Sequence, residues 1–382
     1  MQDNKSIVFI CRRYCPAEAW TNRLLCYAKG FIQNGYNVKL IFLISDKTRN
    51  LHNINVEGLQ VVNLWENDAW LARQHRLISY QINKRKIKDY ISDYDICFMM
   101  DAGGVYVDEI LQSHKKVKLV IESTEHPEII FKGKKSWVYK SFIHAVKKAD
   151  KICVISKALY DFYVNDIGVS ANMVCTTNIF VDNSRFENIP RQDVQPYIAY
   201  CGSVGTVKDG VDILIKSFAK FRKIYPEYHL EIYGVGKKEV MKELYHLVEA
   251  LNISESVVFT GRISYDEMPQ RLINARLLAL ARPDNLQNRN GFPTKLGEYL
   301  ATGNPVVVTS VGEIPLFIHD RFNGYLAIPG DVDSFAEKLL EAARDLDEGA
   351  IEIGRNGKLL IGKEFSYVEN VNRIISSINS NV

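Results

Sequence analysis

The chain has no apolar run approaching the roughly 18 residues that a membrane-spanning helix needs. It shows no signal-peptide pattern at its N-terminus and no low-complexity stretch. The seven cysteines are odd in number and include no CxxC pair, which argues against a disulfide framework or a zinc site. Cys11, Cys97, Cys153 and Cys201 sit inside apolar runs, so they read as small reduced core residues of a cytoplasmic protein. The net charge is only +3, but it is uneven: residues 1–190 carry +6 and residues 191–382 carry −3. No nucleic-acid partner is expected.

What the sequence does have is length and alternation. Its 382 residues suffice for two α/β domains. Buried-strand runs fit Ser6 to Cys11, Asn37 to Ile44, Gln60 to Leu64, Ile96 to Met100, Lys118 to Glu122 and Lys151 to Ile155. Helical stretches lie between several of them, the first from Ala19 to Asn34, stopped by Gly35. Strands alternating with helices predict a parallel, doubly wound sheet. Around Val181 to Pro196 the pattern dissolves into polar residues with two prolines, which marks a domain boundary. A second series then fits Tyr197 to Gly202, His229 to Gly234, Val257 to Gly261, Leu277 to Ala281 and Val306 to Thr309. The expected fold class is α/β, with two Rossmann-like parallel-sheet domains over 1–185 and 197–365 and a helical segment over 366–382. Ligands bind at strand ends in such folds.

The most informative stretch runs from Asn290 to Thr309. It reads as a glycine turn at Gly291, a short helix opened by Pro293, a glycine stop at Gly303 and a buried strand. Lys295 falls in the first helical turn, where its charge opposes the helix dipole. A cation there makes sense if an anion is bound at the helix N-terminus. Lys295 and Glu298 are three apart and share a face, while Leu296 and Leu300 point toward the sheet. A phosphate-binding cation beside a hydroxyl-binding carboxylate suits a nucleoside diphosphate.

The stretch resembles the donor site of the family-4 retaining glycosyltransferases of the GT-B fold, E-G-F-G-x-x-x-x-E-A-M-A-x-G-x-P-V-V. The variant F-P-T-K-L-x-E-Y-L-A-x-G-x-P-V-V, here Phe292, Pro293, Thr294, Lys295 and onward, is similar to bacterial polysaccharide glycosyltransferases. The resemblance implies that Glu298 holds the nucleotide ribose. The first Glu position, which contacts donor-sugar hydroxyls in the family, is Asn290 in this chain. Gly202 to Gly210 resembles the family segment G-R-x-x-x-x-K-G, whose Arg and Lys bind the diphosphate. Lys208 matches the Lys, Ser203 stands where the Arg would be, and Arg282 is the candidate substitute or else a solvated loop residue. Arg262 and Ile263 match the backbone that cups the nucleobase. His126, after the strand ending at Glu122, matches a His that touches donor sugar and phosphate, or else is a structural histidine. Glu125 is the alternative, or orients the acceptor. The family's Gly-Gly loop after the first strand is absent from Pro16 to Asn22, so no donor contact is placed there. The terminal helix, roughly Asn370 to Ser377, is expected to cross back onto the first domain.

Together these imply an enzyme, a retaining, metal-independent glycosyltransferase without a cofactor. Its donor would be UDP- or GDP-linked, and its acceptor a glycan or a lipid-linked glycan of a bacterial surface polysaccharide. A GT-B-like sugar-nucleotide epimerase and a non-catalytic sugar-nucleotide-binding subunit are the alternatives. Asp331-Val332-Asp333 is a D-x-D, a metal signature elsewhere, but Ser334 and Glu337 have capping-box spacing, so the aspartates read as helix-start residues. Lys132 to Phe142 mixes lysines with aromatics. It reads either as a contact with an anionic membrane, at the inner face of the cytoplasmic membrane, or as a helix face packed on the sheet.

Overall fold

The protein is described by a computed structural model covering residues 5–12, 14, 19–43, 54, 56–63, 84, 86–100, 106–113, 117–349 and 351–380. The chain divides into two compact units, residues 1–178 with 367–382, and residues 179–366. Each is a parallel sheet flanked by helices.

Among the described residues the first sheet has seven strands: β1 (Ser6–Cys11), β2 (Asn37–Phe42), β3 (Leu59–Asn63), β4 (Ile96–Met100), β5 (Lys118–Ser123), β6 (Lys151–Val154) and β7 (Val174–Thr176). Their order is β3-β2-β1-β4-β5-β6-β7, all parallel. Every residue of β1, β4 and β6 is buried, as expected of strands covered on both faces. The terminal helix, Tyr367–Asn379, packs on helix Ala19–Gln33, with Val371 against Gly30, and belongs to this unit. A Cβ on Gly30 would lie 2.8 Å from Val371 Cγ2, so the glycine permits that approach. Lys118 Nζ donates to the Ile378 carbonyl at 2.8 Å and ties down the helix end.

The second sheet has six strands: β8 (Tyr197–Cys201), β9 (His229–Tyr233), β10 (Val257–Gly261), β11 (Leu277–Leu280), β12 (Val306–Thr309) and β13 (Tyr325–Ala327). Their order is β10-β9-β8-β11-β12-β13, again all parallel. The strand order reverses between β8 and β11, so the carboxyl ends of those two strands form the switch point at which such sheets bind ligands.

The structure departs from sequence expectation in four places. Strands β7 and β13 were not anticipated; each is three residues long, too short for a periodic signal. The first unit ends at Asn178, ahead of the polar stretch expected to be the boundary. That stretch carries Ile179, Val181 and Phe186, all buried, and Val181 bridges Ser366, so it joins the second unit. Pro293 is the cap of its helix and not the first helical residue. Asp331, not Ser334, caps helix Val332–Asp347 by accepting from the Asp333 and Ser334 amides; the Ser334 hydroxyl accepts from the Ile328 amide. Residues 15–18, part of the loop read as lacking a donor contact, and the strand end at Ile44 and Leu64 lie outside the described residues.

Among the described residues six cysteines are free thiols, four of them buried. No described helix is long and apolar enough to cross a membrane.

Candidate nucleotide-sugar site

The site is assembled where β8 and β11 end. After β8 the chain turns at Gly202, whose φ of +151° is open to glycine and strained for other residues. The ammonium of Lys295 occupies the space a Cβ would need there. Gly210, at φ +61°, passes against the Ala281 carbonyl, where a side chain would also overlap. These two close approaches draw the loop 202–210 onto the end of β11 and onto helix Thr294–Thr302. The Lys208 carbonyl accepts from Asn288 Nδ2 at 2.9 Å and from Arg282 Nε at 3.4 Å. Asn285 Nδ2 donates to the Val207 carbonyl at 2.7 Å.

At the centre lies Asp209, 2% exposed. Its Oδ2 accepts from Lys295 Nζ, and Arg282 Nε stands 3.6 Å from its Oδ1. The Tyr200 hydroxyl lies 2.8 Å from both Asp209 Oδ2 and the Ser203 carbonyl, and Lys295 sits 4.8 Å over the Tyr200 ring. Burial pushes the Asp209 carboxyl up, but Lys295, Arg282 and the Tyr200 hydroxyl outweigh it and hold it below the usual carboxylate range. Two cations thus converge on one buried carboxylate, with Lys208 on the same loop.

Lys295 was expected to need an external anion at its helix N-terminus. The structure supplies an internal one, Asp209, which the sequence reading had passed over. Arg282 was weighed as a solvated loop residue; it is 2% exposed and part of this cluster.

Glu298 is placed by helix packing. A Cβ on Gly297 would overlap Val181, so the glycine lets the helix lie close to residues 179–181. Glu298 Oε1 accepts from Arg185 at 2.7 Å, and Arg185 donates to the Tyr265 carbonyl at 2.8 Å. The guanidinium also lies 3.5 Å over the Tyr265 ring. Tyr265 follows Arg262, which is exposed, and Ile263, which is half-buried, on the loop after β10. Arg185 was missed because it lies in the polar linker.

The remaining expected residues divide. Ser203 is exposed on the loop. Gly291 has φ −106°, a backbone any residue adopts, so its glycine is not required by conformation. Phe292 packs on Phe317 and Phe365 at ring distances of 5.3 and 5.7 Å. Its side chain is therefore core, and only its backbone is left to a ligand. Pro293 is buried and Thr294 opens the helix. Asn290 ends a short helix, Leu286–Asn290, that the glycine-turn reading did not foresee; its Nδ2 donates to the Leu286 carbonyl at 2.8 Å.

In the first unit His126 follows β5 and is buried. It caps the short helix Pro127–Ile130, with Nδ1 accepting from the Glu128 amide over a long 3.4 Å, and its ring lies 4.4 Å from Phe162. So the structural role weighed for it is present. The cap also fixes the tautomer: with Nδ1 as acceptor, the neutral ring carries its proton on Nε2. Burial first, then Lys134, lowers its pKa and keeps it neutral, against the pull of Glu128 and Asp166. Glu125 is half-buried, and its carbonyl lies 3.3 Å from the Ser123 hydroxyl.

This architecture is GT-B: two parallel-sheet α/β units, with solved neighbours of that fold. Residues 182–359 match the family described as Glycosyl transferases group 1. An uncharacterized glycosyltransferase of Methanocaldococcus jannaschii is 24% identical over 299 residues, covering 77% of this chain and 79% of that protein. A GDP-mannose-dependent monoacylated alpha-(1-6)-phosphatidylinositol monomannoside mannosyltransferase of Corynebacterium glutamicum is 29% identical over 179 residues, covering 46% of this chain and 45% of that one. Among solved structures, Anabaena HepE in complex with UDP and glucose superposes with a TM-score of 0.77 at 17% identity, covering 99% of this chain and all of that chain. TarM superposes with a TM-score of 0.79 at 13% identity, covering 98% and 99%. The family match lies within the second unit, residues 179–366.

Proposed function

We propose that the chain is a retaining, metal-independent glycosyltransferase. It moves a sugar from a UDP- or GDP-linked donor to a glycan or lipid-linked acceptor in bacterial surface polysaccharide synthesis. The observation that carries this reading is the convergence of Lys295 and Arg282 on Asp209 at the ends of β8 and β11, with Lys208 on the same loop. A diphosphate placed there meets fixed cations and the helix N-terminus, which stabilise the charge that develops as it departs. Glu298 takes the ribose. The acceptor oxygen bonds to the anomeric carbon on the face that the phosphate oxygen leaves, and that phosphate takes the acceptor proton. No enzymatic nucleophile is needed.

The donor class is supported by the UDP and UDP-glucose held by the structural neighbours. The acceptor class is supported by the phosphatidylinositol mannoside enzyme and by the O-antigen chain mannosyltransferase of Salmonella typhimurium, 23% identical over 196 residues. Metal independence is supported by the cations the chain itself brings to these strand ends, and by the use of Asp331 as a helix cap. A contact with an anionic membrane is supported by Trp137, 67% exposed among Lys132, Lys134, Lys135 and Lys140. On the same helix Tyr139 and Phe142 are buried, so its other face packs inward.

A second reading, a sugar-nucleotide-binding subunit without turnover, draws on Ser203 and on Asn290, whose amide is bonded to its own helix. A product assay on pure protein in excess EDTA separates the two. Transfer or donor hydrolysis is expected at the uninhibited rate. Loss of activity restored by Mn²⁺ or Mg²⁺ would overturn metal independence, and no turnover under any condition would favour the subunit.

A further inference from the structure

We infer that Arg185 is a positioning residue that aims Glu298 at the donor ribose and fixes the distance from the ribose to the nucleobase loop. This rests on the donor-site reading above. Three contacts converge on one guanidinium. One nitrogen donates to Glu298 Oε1 at 2.7 Å, another to the Tyr265 carbonyl at 2.8 Å, and the plane stacks 3.5 Å over the Tyr265 ring. The planar fork suits this divided grip, which a lysine would not reproduce. The pair is only partly covered, with side-chain exposures of 12% for Arg185 and 23% for Glu298. Glu298 Oε2 takes no hydrogen bond from the described residues. One carboxylate oxygen is therefore held by the protein, and the other is left as an acceptor for a ribose hydroxyl. Because the same guanidinium grips the loop carrying Arg262 and Ile263, the ribose acceptor and the nucleobase backbone are set by one side chain. Arg185 itself need not touch the nucleotide.

The test is calorimetric binding of UDP and GDP, each against its 2′-deoxy form. Wild type is expected to prefer the ribonucleotide it binds by about tenfold or more, the effect of losing a bond to a charged acceptor. Arg185→Ala should bring that preference to within about threefold, and Arg185→Lys should fall between. In a Glu298→Ala background, adding Arg185→Ala should leave the ratio of ribo- to deoxynucleotide affinity unchanged within about twofold, any further loss through the nucleobase loop falling on both forms alike. An arginine that merely stabilised the fold would weaken both nucleotides alike and leave the preference intact. If Arg185→Ala does not fold, Arg185→Lys carries the test, and an unchanged preference in it overturns the inference. A wild type that binds a nucleoside diphosphate with no ribose preference overturns it too, leaving the donor site standing. A wild type that binds neither UDP nor GDP overturns the donor reading itself.

Discussion

Two buried charge clusters, one in each unit, differ in a way that bears on structure and function. In the first unit Arg23 is paired with Glu122. Its Nε donates to Glu122 at 2.6 Å, its other nitrogens to the Asn178 carbonyl and the Thr177 hydroxyl, both at 2.8 Å, and Tyr27 donates to Glu122 at 2.7 Å. Both partners are sealed, at 4% and 7% exposure. In the second unit Asp209 stands between two cations, and Lys295 is 15% exposed at the strand end. A sealed ion pair bonded to neighbouring backbone and hydroxyl groups stands away from solvent. A carboxylate that gathers cations at an open strand end holds them ready for an anion. On the proposed reading, Asp209 keeps Lys295 and Arg282 close to each other for a diphosphate.

The largest effect expected from breaking this contrast is at Lys295. Lys295→Ala should abolish transfer, but it also strips a partner from buried Asp209 and so lowers stability. The double variant Lys295→Met/Asp209→Asn removes that pair together; buried Arg282 then loses its carboxylate and some stability goes with it, but the folded protein should show no transfer. Measurable turnover in a folded double variant would refute the assignment. Next is Arg23→Met, which leaves Glu122 buried without its cation. It should destabilise the first unit by about 3–5 kcal/mol in denaturant melts, with nucleotide affinity unchanged. Lost nucleotide affinity in the folded variant would erase the distinction between the clusters.

A smaller effect is expected at His126. If its Nε2–H contacts the donor, His126→Ala should lower turnover more than nucleotide affinity, because such a contact strengthens in the reacting complex. Its lowered pKa has a pH consequence. The folded protein holds the ring neutral where the unfolded chain begins to protonate it, so its contribution is present above about pH 6.5 and is lost as pH falls below that. Turnover should stay flat from about pH 8 to below 6.5 and decline only where the folded ring protonates and Nδ1 can no longer accept from the Glu128 amide, with that decline absent in His126→Ala. Wild-type turnover in the variant would confine His126 to its capping role and shift attention to Glu125. The smallest effect is at the membrane. Each of Lys132, Lys134, Lys135 and Lys140 should add about 1 kcal/mol to binding of anionic vesicles at low salt. Absence of sedimentation with such vesicles would make that segment an ordinary solvated face.

Much of this was legible in the sequence because burial writes itself as periodicity. The runs at Ser6–Cys11, Ile96–Met100, Val257–Gly261 and Val306–Thr309 appear as strands with the expected bounds. Gly303 stops its helix in the left-handed conformation, as a glycine there should. What stayed hidden depends on contacts between residues far apart in the chain. Asp209 and Lys295 are 86 positions apart, and Arg185 and Glu298 are 113 apart. No spacing rule connects such pairs. Lys295 was therefore assigned an external anion while its internal partner went unnoticed. Arg185 was hidden in a stretch whose polar residues signalled a linker, although Ile179, Val181 and Phe186 pack it into the second unit. Phe292, read as part of the binding motif, is held in an aromatic cluster that only the fold assembles.

The central claim is that the cations gathered by Asp209 receive a nucleoside diphosphate. The most direct test is the thermal unfolding of wild type and of Lys295→Met/Asp209→Asn with increasing UDP and, separately, GDP. A ligand that binds only the folded state stabilises it by about 2.7 kcal/mol at a hundredfold excess over Kd. The account predicts a concentration-dependent rise in Tm for wild type with one of the two nucleotides and none for the double variant. Equal rises in both proteins, or no rise in wild type with either nucleotide, would contradict it.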